Sequence, residues 1–96
     1  MYLINISLKP SDLSAAEQEA QFNQHRAWFA NYFNKGNFLL LGPYLDKEMA
    51  GLIIAKADSR AALDKILAED VYYPDLADYE IREFKASMAA EKILAD

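Results

Sequence analysis

The sequence has no cysteine, one histidine, three glycines and three prolines among its 96 residues. The lack of cysteine excludes disulfides and thiolate metal sites, and one histidine leaves any metal site to be built mostly from carboxylates. The net charge is −5 and lysine and arginine form no cluster, so the electrostatic signature of nucleic-acid binding is missing. We therefore expect no metal, no cofactor and no nucleic-acid partner.

Long apolar runs are also missing, since none approaches the roughly 20 residues that cross a bilayer. The first ten residues, MYLINISLKP, lack the basic region that precedes the apolar part of a signal peptide. We expect no membrane partner and a cytoplasmic location. The chain does have the composition of a globular domain, with 53% apolar and 26% charged residues. This predicts one domain over residues 1–96, in which residues 86–96 form a C-terminal tail.

The first half of the chain predicts a strand, a long helix and two further strands. Apolar and polar residues alternate over 2–8, as in a strand with one buried face. A helix is predicted from about Ala15 to Lys35, with Ser11 or Ser14 as its N-cap and Glu17 at the capping-box position after Ser14. The apolar run 37–45 is too short for a helix and predicts a central strand buried on both faces. Residues 52–57 predict its hairpin partner.

The second half predicts a helix over 58–70 and a last strand over 79–85, which is bulged because Phe84 falls out of phase. Residues 86–96 are good helix formers and predict a short helical tail. The order β-α-β-β-α-β is a ferredoxin-like split sheet of the α+β class, with both helices on one face. The other sheet face needs cover, and a second copy is the simplest cover. We therefore predict a homodimer through the open sheet face.

The single histidine lies in an aromatic stripe of the first predicted helix. Residues of this stripe recur at spacings of three and four: Phe22, His25, Phe29, Tyr32 and Phe33. A free imidazole titrates near pH 6.5, which suits proton transfer at neutral pH. His25 is therefore either a site residue or a core histidine that donates to one backbone carbonyl.

Several segments together resemble the YciI-like (YCII-related) family. They are MYLINISL at the N-terminus, His25 midway along the helix, LLLGPY, AGLIIAKADSRAALDKILAED and YEIREFK. The resemblance covers roughly residues 1–86. It implies a dimeric α+β barrel of ferredoxin-like protomers, a fold shared with muconolactone isomerase, and a pocket between sheet and helices. Members of the family have been proposed as enzymes.

The resemblance also implies site residues. The family's histidine matches His25, its aspartate matches Asp70, and its Gly-Pro pair matches Gly42 and Pro43. Two positions differ from the family, because Val71 replaces a proline after the aspartate and a leucine replaces a later glycine. The loop after Asp70 therefore differs from the family pattern, and contact between Asp70 and His25 stays open.

Each candidate residue has a structural and a functional interpretation. Asp70 either orients His25 by accepting its second ring N–H or forms an Asx-turn. Arg26 either binds a substrate carboxylate or lies along the helix surface. The remaining candidates either line a substrate pocket or complete the strand end and the core: Gly42, Pro43, Tyr44, Phe29 and Tyr72.

The leading functional hypothesis is a small-molecule enzyme that uses a His25–Asp70 pair for general acid/base chemistry. Isomerisation, elimination and dehalogenation of a small, partly apolar compound all fit, and the residues do not choose among them. The alternative is a non-catalytic ligand-binding or regulatory dimer module with the same pocket.

Overall fold

The computed structural model describes residues 1–91 and 93, which form one four-stranded antiparallel sheet and two helices. The elements are β1 (Tyr2–Leu8), α1 (Ala15–Asn34), β2 (Phe38–Pro43), β3 (Ala50–Ala55), α2 (Arg60–Leu67) and β4 (Ala77–Glu83). The strands lie in the order β2-β3-β1-β4. The predicted α+β class and element order are confirmed. Within the described residues, no helix is long and apolar enough to cross a membrane.

Local side-chain chemistry sets where both helices begin. The Ser14 hydroxyl accepts from the Glu17 backbone N–H at 3.2 Å, and the Glu17 carboxylate accepts from the Ser14 N–H at 3.4 Å. This capping box satisfies two backbone donors that the first turn leaves unpaired. Ser59 caps α2 in the same way, through its hydroxyl and the Ala62 N–H at 3.1 Å. The predicted start of α1 is confirmed, and α2 covers 60–67 of the predicted 58–70.

The core lies between the helices and one face of the sheet. Ile4 of β1 has no exposed surface and lies opposite Ile53 of β3 and Ile81 of β4. Leu63 and Leu67, one turn apart on α2, are also fully buried. Full burial of such a side chain stabilises the fold by about 1.5–3 kcal/mol. The same burial fixes the position of α2 relative to the sheet.

The open face of the sheet carries the residues that alternate with the core positions. Leu3, Leu52 and Ile54 lie on this face by strand register, and all three are half-buried. Leu40 of β2 lies beside Ile54 and extends the apolar surface. The face opposite the helices is therefore apolar at its centre.

The prediction that β2 is a central strand is wrong, because β2 forms an edge of the sheet. Leu39 is 42% exposed, and the pairing with β3 shifts register between Phe38 and Leu40. The apolar run has a different cause: one side of the strand enters the core and the other joins the open face. Alternating polar residues are therefore not needed in this strand.

The buried side of α1 also differs from the predicted aromatic stripe. Trp28 and Tyr32 are buried, whereas Phe22 and Phe33 are 49% and 54% exposed. The Trp28 ring packs against Phe38, with centroids 5.1 Å apart. The buried side of α1 is therefore centred on Trp28 and Tyr32.

The end of the chain differs from prediction in two ways. β4 begins at Ala77 and pairs with β1 without a bulge, because Phe84 lies beyond its last residue. Residues 86–91 are exposed and not helical, so the predicted helical tail is wrong there, and residues 92 and 94–96 lie outside the described residues. A short helix needs a docked apolar face, and the exposed residues 86–91 have none.

Candidate active site

His25 and Asp70 are in direct contact. His25 lies in the middle of α1, and Asp70 follows α2, so the packing of the two helices brings residues 45 positions apart together. His25 Nδ1 is 2.8 Å from Asp70 Oδ1. The Asp70 side chain has no exposed surface, and the His25 side chain is 13% exposed. A carboxylate only accepts hydrogen bonds, so Nδ1 carries the ring proton and Nε2 of the neutral ring presents a lone pair.

The second ring nitrogen of His25 is accessible. No described residue hydrogen-bonds Nε2, yet every buried side-chain nitrogen and oxygen of the described residues has a partner, so Nε2 is not fully buried. His25 lines a cavity of about 350 Å³ between α1 and the β2–β3 hairpin. Most of the lining is apolar and comes from Ile6, Leu8, Phe22, Phe29, Leu41, Pro43 and Ile53. The geometry thus places His25, with one ring nitrogen that no described residue hydrogen-bonds, at the wall of an apolar cavity.

Sequence reasoning missed Tyr79. Its hydroxyl donates to Asp70 Oδ2 at 2.7 Å, so the two carboxylate oxygens of Asp70 are each bonded to a different side chain. Burial, together with the hydrogen bond and the charge of Asp70, raises the pKa of Tyr79 well above the usual 10.0. The prediction that Tyr79 and Ile81 share a strand face was correct, but nothing in that pattern indicated a carboxylate partner.

Asp70 does not use its carboxylate for an Asx-turn. Both of its oxygens accept from the side chains of His25 and Tyr79, and the loop is held instead by the Tyr73 N–H, which donates to the Asp70 carbonyl at 3.0 Å. Val71, which replaces the family's proline, does not prevent the contact with His25. The structure therefore answers the question of contact that the sequence left open.

Three polar contacts connect α1 to the end of α2. Besides His25 and Asp70, Trp28 Nε1 donates to the Ile66 carbonyl at 2.9 Å, and the Tyr32 hydroxyl donates to Glu69. The hydrogen bond to Glu69, with burial as the second cause, raises the pKa of Tyr32 to about 12. The three donors lie at spacings of three and four along α1 and so share one side of the helix. These contacts fix the position of α1, and therefore of His25, relative to Asp70.

Four of the five predicted substrate-binding residues line the cavity, namely Phe29, Gly42, Pro43 and Tyr44. Tyr72 does not line it, because it is 3% exposed and packs behind His25 with ring centroids 5.0 Å apart. Burial, followed by the charge of Asp70, raises the pKa of Tyr72. Tyr72 supports the imidazole ring and is not at the mouth of the pocket.

Arg26 lies on the outer surface of α1, with its guanidinium 5.9 Å from the centre of the Phe22 ring. It is exposed and does not line the cavity. The interpretation of Arg26 as a surface residue therefore fits its position.

The hairpin loop between β2 and β3 supplies cavity residues that the sequence did not indicate. Lys47, Glu48 and Met49 all line it, and Met49 has a φ of 56°. Gly51 allows the two hairpin strands to approach closely, since a Cβ there would lie 2.7 Å from the Gly42 carbonyl oxygen. Across residues 1–91 and 93, no group of three histidine, cysteine or acidic side chains is placed to hold a metal ion.

Comparison with solved structures finds the crystal structure of muconolactone isomerase, which superimposes with a TM-score of 0.76 at 16% sequence identity. The match covers 99% of this chain and 96% of that chain. At this identity the likeness shows a shared fold. Comparison with proteins of curated function finds no relative. The family of the YCII-related domain matches residues 1–85. The chain therefore belongs to the YCII-related family.

Proposed function

We propose that this protein is a small-molecule enzyme in which His25 acts as general base and acid and Asp70 orients it. The observation that carries the proposal is the 2.8 Å contact between His25 Nδ1 and Asp70, combined with an Nε2 that is not fully buried and the position of His25 at the wall of an apolar cavity. A buried carboxylate that holds one ring nitrogen leaves the other free to take a proton. A histidine that merely completes a core would use its ring nitrogens within the fold.

The cavity indicates the kind of substrate. A volume of about 350 Å³ lies at the small end of the range for ligand sites. The rings of Phe22 and Phe29 and the side chain of Leu41 form apolar walls beside His25. A small, partly apolar molecule with an acidic C–H or O–H group matches this surface, because its apolar part is removed from water while its proton faces Nε2.

The proposed chemistry is a proton transfer in which the imidazole first takes a proton and then releases it. His25 Nε2 takes a proton from the substrate, and the imidazolium returns it either to another atom of the substrate or, when a leaving group departs with its bonding electrons, to that group or to water. Isomerisation corresponds to the first outcome, and elimination or loss of halide corresponds to the second. Such positioned proton transfer contributes about 10²–10⁴-fold in rate.

A homodimer through the open sheet face is part of the proposal. The apolar centre of that face, formed by Leu3, Leu40, Leu52 and Ile54, lies on the side of the sheet away from both helices. Pairing two copies removes this surface from water, at about 25 cal/mol per Å² of apolar area. A chain with a single small core gains stability from that burial.

Exchange of solvent deuterium for carbon-bound protons of a test compound tests the function without knowledge of the natural substrate. A panel of small aromatic and unsaturated acids, ketones and lactones is incubated in D2O, and loss of C–H signals is followed by ¹H NMR. We expect exchange of at least one compound, with a loss of about 10²-fold or more in His25→Gln. Asn31→Gln, an exposed change on the same helix, is the control and keeps the wild-type rate.

Two results would overturn the proposal. Exchange that persists in a folded His25→Gln variant removes the base from the mechanism. Failure of every compound, together with a ligand that native mass spectrometry finds retained and unchanged, favours the non-catalytic binding module.

A further inference from the structure

Asp70 has one carboxylate and two partners, and only one of them touches the cavity. Oδ1 accepts from His25 at 2.8 Å, and Oδ2 accepts from the Tyr79 hydroxyl at 2.7 Å. Tyr79 lies on β4, opposite Ile6 of the central strand β1, so the sheet holds its ring in place. The carboxylate is thereby fixed between a helix on one side and the sheet on the other.

The second hydrogen bond changes how strongly Asp70 acts on the imidazole. A nearby negative charge favours the protonated imidazolium, in which Nε2 has no free lone pair. A hydrogen bond to a carboxylate stabilises its charge and so weakens its pull on the proton of its other partner. Without the Tyr79 hydroxyl, the buried charge of Asp70 would act on His25 alone.

We propose that Tyr79 is a positioning residue of this site, whose hydroxyl orients Asp70 and, by stabilising the carboxylate charge, weakens the pull of Asp70 on the His25 proton. The catalytic meaning of this inference rests on the proposed function, whereas the coupling between Tyr79 and His25 does not. Tyr79 does not line the cavity and acts through Asp70.

The protonation of Tyr79 supports this assignment. Burial and the contact with Asp70 raise the pKa of Tyr79, so its hydroxyl remains a donor throughout the neutral range. The titratable groups that face His25 or line its cavity from other elements are Asp70, Tyr72, Tyr44, Lys47 and Glu48. Of these, Asp70 is the one within hydrogen-bond distance of the ring, so a change at Tyr79 reaches His25 through it.

A pH titration of the His25 ring by NMR tests the coupling, since the chain has one histidine. We expect Tyr79→Phe to move the midpoint to higher pH by about half a unit or more, about threefold in proton affinity. Tyr73→Phe is the matched control. Its ring lies 5.3 Å from that of Tyr79, and within the described residues its hydroxyl makes no hydrogen bond.

The pH profile of solvent exchange separates positioning from simple structural support. In Tyr79→Phe we expect the rate to fall by about threefold at pH values below both midpoints and to recover at higher pH, because the ring is again neutral there. A merely structural role lowers the rate equally at every pH. If wild type exchanges no compound, the midpoint still decides the coupling between Tyr79 and His25, independently of the base role.

The inference is overturned if the midpoint in Tyr79→Phe is unchanged or lower, or if Tyr73→Phe shifts it equally. If Tyr79→Phe does not fold, a measurement on the wild-type protein tests the hydrogen bonds to Asp70 instead. A slowly exchanging hydroxyl proton with a nuclear Overhauser contact to the His25 Nδ1 proton is expected, and its absence contradicts the proposed bridge.

Discussion

Replacement of Asp70 by asparagine tests the geometry of the site most directly, because it removes a charge and keeps the shape. In the wild type, both oxygens of Asp70 can only accept hydrogen bonds, and His25 Nδ1 lies 2.8 Å from one of them. The ring must therefore carry its proton on Nδ1. The introduced amide has one acceptor and one donor group, so it can pair with either form of the ring.

The size of the effect follows from the hydrogen bond that the minor tautomer loses. A hydrogen bond to a charged group contributes about 1.5–3 kcal/mol, and the Nε2–H tautomer forfeits it. A value of about 2 kcal/mol corresponds to a ratio near 30 to 1 in favour of Nδ1–H, at about 1.4 kcal/mol per tenfold change. In Asp70→Asn we expect this ratio to fall by about tenfold or more.

The assay is a long-range ¹H–¹⁵N correlation spectrum of the ring, recorded at a pH where the imidazole is neutral. Asp78→Asn is the control, since the Asp78 side chain is 76% exposed and lies 3.8 Å from Lys9. A wild-type ring that carries its proton mainly on Nε2 would refute the reasoning. An Asp70→Asn variant that keeps the wild-type ratio would do the same.

Three further changes test the dimer, the hairpin and the buried phenol. Ile54→Glu places a charge on the open sheet face and is expected to convert a dimer to a monomer in sedimentation, whereas Phe33→Glu on the exposed side of α1 is not. Gly51→Ala is expected to destabilise the fold by about 1–3 kcal/mol in urea unfolding, since its Cβ meets backbone at 2.7 Å. A Cβ at Gly42 would have no atom within 4 Å, so Gly42→Ala is expected to be tolerated. Between pH 10 and 12 the unfolded chain loses the Tyr32 proton first, so the free energy of unfolding falls as pH rises, less steeply in Tyr32→Phe.

Each of these expectations has a contradicting result. A wild-type monomer, or a dimer that survives Ile54→Glu, removes the open face as the interface. Equal stability of the two glycine variants would show that the hairpin strands can separate at little cost. A free energy of unfolding that does not change above pH 10 would show that the Tyr32 hydrogen bond does not favour the protonated phenol in the fold.

Local patterns in the sequence were sufficient for the six helices and strands and their order, although they also predicted a helical tail that residues 86–91 do not form. Alternation over residues 2–8, the capping box at Ser14 and the apolar stripe of α2 each depend on neighbours within a few positions. The run 37–45 was misassigned because an apolar residue reads the same whether it faces a core or an open sheet face. The segments that pack against each face of the strand decide between a core position and an open-face position, and these segments are distant in sequence.

The candidate site divides in the same way. Family resemblance pointed to His25, Asp70 and the Gly-Pro pair, and an aromatic stripe placed Phe29 beside the histidine. The contact between His25 and Asp70 spans 45 positions and exists only because α1 packs against the end of α2. The roles of Tyr72 and Tyr79 differ from the sequence prediction for the same reason. Tyr72 is buried behind the imidazole ring, and the strand register places Tyr79 against the Asp70 carboxylate.

The sequence by itself determined the element types, the helix caps and the kinds of side chain available for chemistry, because these depend on short-range periodicity and composition. Tertiary structure alone decided which strand lies at the edge, which aromatic rings are buried and which donors share Asp70. Those outcomes depend on hydrogen-bond distances and burial between residues far apart in the chain, and no local pattern records them.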